Sequence, residues 1–280
     1  MIYVLIPIFN RIELTKNCIQ SLRRQTIFSE ISIIVVDDKS TDGSFEWLIT
    51  EHPDITILSG TGGLFWGGAI HYGIEYILKI GEIGDYVLLI NNDVELTDNV
   101  VSQLKDHVDL NERKVITGAL TVDQSDRSTI IKSGSVVKSW FLNITEHLFV
   151  GKSLNSIKKE RARKVDFITA RCLLHPIEIF WQVGNYDATS FIHYGGDDEF
   201  SMRVKKYGIE THLLPSAIVY LNDTSDRKKN IIKTLIDVRS SSNILNKLRL
   251  SHKVAPFGAK WSFFIVGSLK SIVIAIKNAF

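Results

Sequence analysis

Apolar residues recur along this chain with two different spacings. Over the first 110 residues, short aliphatic and β-branched runs at 3–7, 31–37, 55–58 and 86–90 show no polar alternation, the pattern of strands buried on both faces. Between them, 13–24, 44–50, 68–80 and 98–110 carry helical spacing. In the first of these, Leu14, Cys18, Ile19 and Leu22 fall on one face. The alternation predicts an α/β fold with a mainly parallel, Rossmann-like sheet, right-handed crossovers and helices on both faces. Beyond 110 the rhythm loosens. Strands are expected at 115–121, 129–137 and 164–168, a polar, Lys/Arg-rich loop at 152–164, and helices at 176–183 and 198–207. Pro176 suits the first turn of one helix and Gly208 the end of the other. Residues 169–174 read as a strand-edge segment, and strands at 209–214 and 217–221 close this part. A helical tail follows, basic over 227–249 and apolar from 260 to 280.

Composition adds one fact that matters. The apolar and charged shares, 45% and 23%, are ordinary for a globular protein. The formal charge of +2, however, conceals a division: residues 224–280 hold 11 Lys/Arg and 2 Asp/Glu, whereas 1–223 hold 22 and 29. A basic tail on an acidic body is expected to meet an anionic surface. Residues 261–276 supply 16 positions interrupted by Lys270, fewer than the roughly 20 of a membrane span. An interfacial helix on anionic lipid is the expectation, with packing on the main domain or a homo-oligomer contact as the alternative. Cys18 and Cys172 sit in apolar company, which suits a reducing compartment. Residues 1–7 read as a strand rather than a leader, so a cytoplasmic protein is expected, peripheral on the inner membrane face if the tail binds there. No nucleic-acid partner is expected.

Candidate chemistry lies where strands end, since ligands of such sheets bind at their carboxyl edge. Asp37-Asp38-Lys-Ser40-Thr-Asp42-Gly43 follows the second strand; turn and cap chemistry accounts for Ser40 or Asp42, but not for two successive acids. Asn91-Asn92-Asp93 follows the fourth. One carboxylate, a nearby amide and a diphosphate suffice for a hard divalent cation, and an Asx-turn is the plain alternative. The glycine-rich stretch 60–73 matches neither a Walker A loop nor a Gly-x-Gly-x-x-Gly fingerprint, which argues against ATPase and dehydrogenase readings. Asp197-Asp198-Glu199, beside His193, is expected to supply at least one catalytic carboxylate. Arg171 either faces substrate or phosphate or makes a structural salt bridge.

Taken in order, five segments resemble the family 2 glycosyltransferases, inverting enzymes of the GT-A fold. They are Ile6-Pro7-Ile8-Phe9-Asn10-Arg11, Val35 to Gly43, the Trp66-Gly67-Gly68-Ala69 segment, Leu89 to Asp93, and Gly184-Asn185-Tyr186-Asp187 followed by 197–203. The likeness covers roughly 1–222 and is nearest to rhamnosyl- and galactofuranosyl-type enzymes of bacterial surface polysaccharides. It implies a GT-A domain over 1–223, with a nucleotide half to about 110 and an acceptor half after it, and a separate basic tail over 224–280. Pro7, Phe9, Asn10, Arg11, Asp38, Trp66, Gly67, Asn91 and Asn92 would bind the nucleotide. Asp93 with Asn91 would hold Mg2+ or Mn2+. Asp197, or Asp198 in its place, would be the base, with Glu199 a neighbouring acid. Arg171, His193 and Glu199 would meet the acceptor. The donor would be a nucleotide sugar, UDP- or dTDP-linked by preference, and the acceptor a glycan or a lipid-linked sugar. Two departures stand out: Tyr220-Leu221-Asn222-Asp223 lies where many relatives carry a metal-binding His, and Gly196 where they often carry Glu. A nucleotidyltransferase, a glycoside hydrolase and a catalytically silent scaffold are the competing readings.

Overall fold

The apolar runs become strands with nearly the expected bounds in a computed structural model, which describes residues 1–222 and 231–277. They are β1 (Ile2–Ile8), β2 (Ile31–Asp37), β3 (Thr56–Ser59) and β4 (Tyr86–Ile90), alternating with helices α1 (Ile12–Arg23), α2 (Ser44–Glu51) and α3 (Phe65–Ile80). Side-chain alternation along β1 explains why the run had to be continuously apolar. Ile2, Val4, Ile6 and Ile8 enter a core shared with Cys18, Ile19 and Leu22 of α1, while Tyr3 and Leu5 enter a second core with Ile70, Ile74 and Ile77 of α3. Helices therefore cover both faces of the sheet.

The remaining elements are β5 (Val94–Leu96), α4 (Val100–Leu110), β6 (Val115–Asp123), β7 (Ile130–Lys132), β8 (Ser135–Ser139), β9 (Ile144–His147), β10 (Arg163–Val165), β11 (Cys172–Pro176), α5 (Glu178–Val183), α6 (Gly196–Lys206), β12 (Glu210–Leu221), α7 (Ile231–Ile236), α8 (Ile244–Val254) and α9 (Lys260–Lys277). One largely parallel sheet runs β10-β12-β6-β11-β4-β1-β2-β3, with β5 and β7 attached to β12 and β6; β8 and β9 form a separate hairpin. Strands from before and after residue 110 thus share a single sheet, joined where β11 lies antiparallel between β4 and β6.

Strand order reverses at β1, which has β4 on one side and β2 on the other. This is where a ligand crevice opens in such sheets. Pro7 contributes to the opening. The β1–β2 ladder continues to Ile8, but the β1–β4 ladder stops at Leu5. Because the Ile8 carbonyl accepts the Asp38 N–H (3.0 Å), Pro7 faces the β4 side, past the last ladder pair, where a missing N–H costs nothing.

Several expectations shift. Residues 129–137 form two strands, β7 and β8, parted at Ser133–Gly134, where a Cβ on the glycine would strike Val165. Pro176 ends β11 and does not open a helix, and 172–176 is a central strand rather than an edge. The two strands expected at 209–221 are one, β12, with a register irregularity between Leu214 and Ile218, around Pro215. The basic helix expected over 227–249 is two helices, α7 and α8; residues 227–230 and 278–280 of the tail lie outside the described residues. Three-residue β5 and the β9 strand of the hairpin carried no recognisable pattern.

Candidate active site

At the donor end, three turns at the carboxyl edge of the sheet are stitched together. Asn10 and Arg11 follow β1 with left-handed backbones (φ 59° and 66°), a conformation non-glycine residues seldom adopt. What holds them is the turn after β2. The Asn10 N–H donates to Ser40 Oγ (2.8 Å), Asn10 Oδ1 accepts the Thr41 N–H (2.8 Å), and Asp42 Oδ2 accepts the Ile12 N–H that opens α1 (2.8 Å). Asp37 accepts the Ser40 N–H (2.9 Å). Asp38 does more than cap a turn: its carboxylate accepts the N–H groups of Gly62 (2.6 Å), Leu64 (2.8 Å) and Phe65 (3.1 Å), fixing the glycine-rich loop that leads into α3. Pro7 stays at the crevice, and Phe9 is exposed beside it.

Across the crevice, at the exit of β4, Asp93 lies 3.8 Å from the Arg11 guanidinium. Asn91 Oδ1 accepts the Trp66 indole N–H (2.9 Å), which ties this exit to the start of α3. An amide oxygen has two lone pairs, so this bond leaves Asn91 Oδ1 a second one to offer at the β4 exit. Asn92 lies further in. It is buried and donates to Thr15 Oγ1 of α1 (3.0 Å), facing away from the crevice. The Gly67 N–H donates to the Ile192 carbonyl (2.7 Å), and a Cβ there would collide with the Phe191 carbonyl. The glycine exists so that α3 can abut the 191–192 loop.

That loop leads to the acids. Gly195 (φ 93°) turns the chain into α6, placing Asp197 and Asp198 in its first turn. Asp197 Oδ2 accepts the Ala170 N–H (3.1 Å). Burial pushes the Asp197 carboxyl above the usual range, opposed by that bond and by the Arg171 charge. Burial, with the neighbouring Asp197 charge, pushes Asp198 up to about 7, opposed by Lys247. Burial thus raises both carboxyls, the direction that suits a proton-accepting acid. Trp66 bridges the two ends: it bonds Asn91 on one side, and its ring lies 3.7 Å from where a Gly196 Cβ would stand.

Glu199 belongs to neither end. It is buried and bound by Arg203 through two hydrogen bonds (3.0 and 2.8 Å), while Arg203 also donates to the Val183 carbonyl (2.8 Å). These bonds make Glu199 and Arg203 a clamp between α6 and α5. Arg171 stands near Asp197, and its carbonyl accepts the Asn91 N–H (3.4 Å), so it links the acids to the β4 exit. His193 packs edge-on against Phe65 (6.2 Å) and Tyr194 (4.8 Å). Burial, then the Arg239 charge, holds its pKa below the ordinary value, with Asp237 opposing and Arg11 adding.

The tail supplies residues that sequence reasoning missed. Lys247 of α8 faces Asp198, Arg249 donates to the Ser190 carbonyl (2.9 Å), and Lys253 pairs with Asp187. These contacts make α8 part of the wall behind the acids. Only the surplus of positive charge in the tail hinted at them.

Among the described residues no group of three or more His, Cys, Asp or Glu side chains could hold a metal by itself. Asp93 still fits a cation that takes one protein carboxylate and completes its shell with ligand phosphates and water.

Comparison with known proteins agrees with this geometry. The sequence profile described as Glycosyl transferase family 2 matches residues 3–172. The N-acetylglucosaminyl-diphospho-decaprenol L-rhamnosyltransferases of two Mycobacterium tuberculosis strains, CDC 1551 / Oshkosh and ATCC 25618 / H37Rv, are each 25% identical over 205 residues. That alignment covers 68% of this chain and 66% of theirs, just under two-thirds of the curated relatives' length. Among solved structures, GalNAc-T7 with UDP, GalNAc and Mn2+ superposes with a TM-score of 0.63 at 12% identity, over 99% of this chain and 56% of that one. The mannosyltransferase PcManGT of Pyrobaculum calidifontis, with GDP-Man and Mn2+, gives 0.59 at 12% identity, over 99% and 74%. Residues 1–349 of S. aureus TarS give 0.58 at 13%, over 96% and 71%. At such identities the structural likeness establishes the GT-A fold alone. The family profile spans more than half of the chain, and this protein belongs to glycosyl transferase family 2.

Proposed function

We propose that this protein transfers a sugar, with inversion, from a nucleoside-diphosphate donor to a hydroxyl of a lipid-linked or glycan acceptor in bacterial surface-polysaccharide synthesis. The observation that carries the reading is the pairing of two sites across Trp66. A carboxylate and a guanidinium, Asp93 and Arg11, stand at the β1/β4 crevice, and two proton-accepting acids, Asp197 and Asp198, stand at the start of α6.

In this reading the nucleoside lies against Pro7, Phe9 and the loop that Asp38 organises. The diphosphate lies over Asp93 and Arg11. A Mg2+ or Mn2+ ion held by Asp93 would neutralise charge that develops on the departing diphosphate. The Asp197–Asp198 pair takes the proton from the acceptor hydroxyl as its oxygen bonds to the anomeric carbon. The carbon–oxygen bond to the phosphate breaks on the opposite face, and the electron pair leaves with the nucleoside diphosphate. Arg171 and His193 stand where they would orient the acceptor. The mycobacterial relatives are named for a rhamnose transfer to a diphospholipid-linked sugar, which makes dTDP- and UDP-sugars the first donors to try.

Calorimetric titration of UDP, dTDP, GDP and CMP, with Mn2+ and with EDTA, tests the donor half of this scheme. Binding of one nucleoside diphosphate that EDTA weakens is the expected result. If none of the four binds under either condition, the transferase reading fails.

A further inference from the structure

The tail helix α9 has two unlike faces. Phe263, Gly267, Ser271 and Ala275, four residues apart, are buried against the body. On the opposite side Trp261, Ile265, Leu269 and Val273 repeat the same spacing, and their exposures are 65%, 53%, 57% and 52%. An apolar stripe of this kind, a little over three turns long, is uncommon on a protein that meets only water. The helix is long and apolar enough to cross a membrane by length and composition. It is nevertheless held down along its length. Asn143, in the turn between β8 and β9, donates to the Phe263 carbonyl (3.1 Å), and its amide fills the space over Gly267. Lys270 donates to the carbonyls of Leu142 and Asn143. Trp140 packs on Phe263 (5.5 Å). Spanning a bilayer would break all of these and carry Lys270 into hydrocarbon.

Charge identifies what the exposed face fits. An open cleft of about 430 Å³ lies at the start of α9, lined by Lys205, Lys206, His252, Lys253 and Lys260, with Phe257 at its rim, 92% exposed. Lys205 and Lys253 pair with Asp166 and Asp187. Lys206 and Lys260 are held instead by the Lys253 carbonyl (3.1 Å) and the Phe257 ring face (6.0 Å). Trp261, edge-on to His252 (5.7 Å), joins the cleft to the apolar stripe. Cations at one end, an aromatic at the boundary and aliphatic residues beyond it match the layers of an anionic bilayer surface from headgroup to acyl chain.

We propose that the outward face of α9 and the lysine cleft beside it form a docking surface for an anionic phospholipid bilayer, with α9 lying in the interface plane. This surface is independent of sugar transfer, so its test needs no substrate. The full chain is mixed with vesicles of phosphatidylcholine alone or with phosphatidylglycerol added, and binding is read by flotation at low and high salt. Binding to the anionic vesicles, weakened by salt, is expected. Lys260→Ala should weaken it about five-fold, the effect of one cation near such a surface. The double variant Ile265→Glu/Leu269→Glu should abolish it while leaving the melting temperature and nucleotide binding intact; Ile265→Ala, which introduces no charge, serves as a milder second probe and should give a partial loss. Three results would overturn the proposal: failure to float with either vesicle, equal binding by the double variant, or protein released only by detergent. A concentration-dependent dimer that the same double variant dissociates would assign the face to a second copy instead.

Discussion

Two sets of carboxylates in this protein are treated in opposite ways by their surroundings. Asp38 and Asp42 at the donor end accept backbone N–H groups from neighbouring turns. Burial resists, but the Ser44 hydroxyl and the Ile12 and Ser44 N–H groups still bring Asp42 below the usual carboxylate range. Asp187 repeats the pattern near α6: despite burial, Lys253 and Ser190 hold it at about 2. Ten residues on, Asp197 accepts the Ala170 N–H, and among the described residues Lys247 is the charge that offsets the burial of Asp198. Both are pushed up. A carboxylate whose lone pairs are filled works as a fastener, and one that is desolvated and sparsely bonded works as a base. Acidity in the sequence does not distinguish the two; the number of donors the fold aims at each does.

The comparison breaks most visibly at Asp197. Replacing a general base typically lowers turnover about 10²–10⁴-fold. Asp197→Asn should lose turnover on that scale and keep its nucleoside-diphosphate affinity, since the donor end is built from other turns. Steady-state rates beside calorimetry on the same preparation check this. Near-normal turnover would remove Asp197 from the chemistry.

Glu199, two residues along, should behave as the opposite kind of acid. Its partner Arg203 is mostly buried, and leaving such a charge without its counter-ion costs roughly 3–5 kcal/mol. Glu199→Ala should therefore lower the denaturation midpoint sharply, while turnover per folded molecule changes far less than for Asp197→Asn. A stable variant with the turnover loss of Asp197→Asn would return Glu199 to the active site.

How much of this was legible depends on the range of the interactions involved. The β1–β4 and α1–α4 rhythm could be read because each element's pattern is local and its strands are buried on both faces. The turn acids were visible as a cluster, but their roles were not. Asp38 is organised by amides 24 to 27 residues away, and Glu199 by an arginine one helical turn on, whose pairing sequence alone cannot tell from a solvated one. Asn91, Asn92 and Gly67 sit in motifs that point to a ligand, but the motifs do not show that each also has a partner within the fold: Trp66, Thr15 and the 191–192 loop. The irregular tail hid most. Its part in the acid site runs through Lys247, 49 residues from Asp198 and with no motif around it.

Lys247 also gives the finest test of the contrast, because it bears on how far Asp198 is pushed up rather than whether it is. The charges acting on the pair are Arg171, just before β11, on Asp197, and Lys247 of α8 and the Asp197 carboxylate on Asp198. A base must be ionised to act, so turnover should rise with pH along an acid limb lying above the usual carboxylate range, because burial raises both acids, Asp198 to about 7. The lysine charge favours the ionised form. Lys247→Met should move the limb to higher pH, reducing turnover at pH 6.5 and leaving it unchanged well above the limb. Stability should respond with its own sign. Because the native pair binds protons more tightly than the unfolded chain, the folded state loses stability as pH rises from the unfolded carboxylate value toward 7. Asp198→Asn should remove that loss and melt higher than the parent at pH 8, with little difference at pH 4. A limb that stays in place in Lys247→Met, or moves down, would show that the tail supports the acid site by packing and not by its charge.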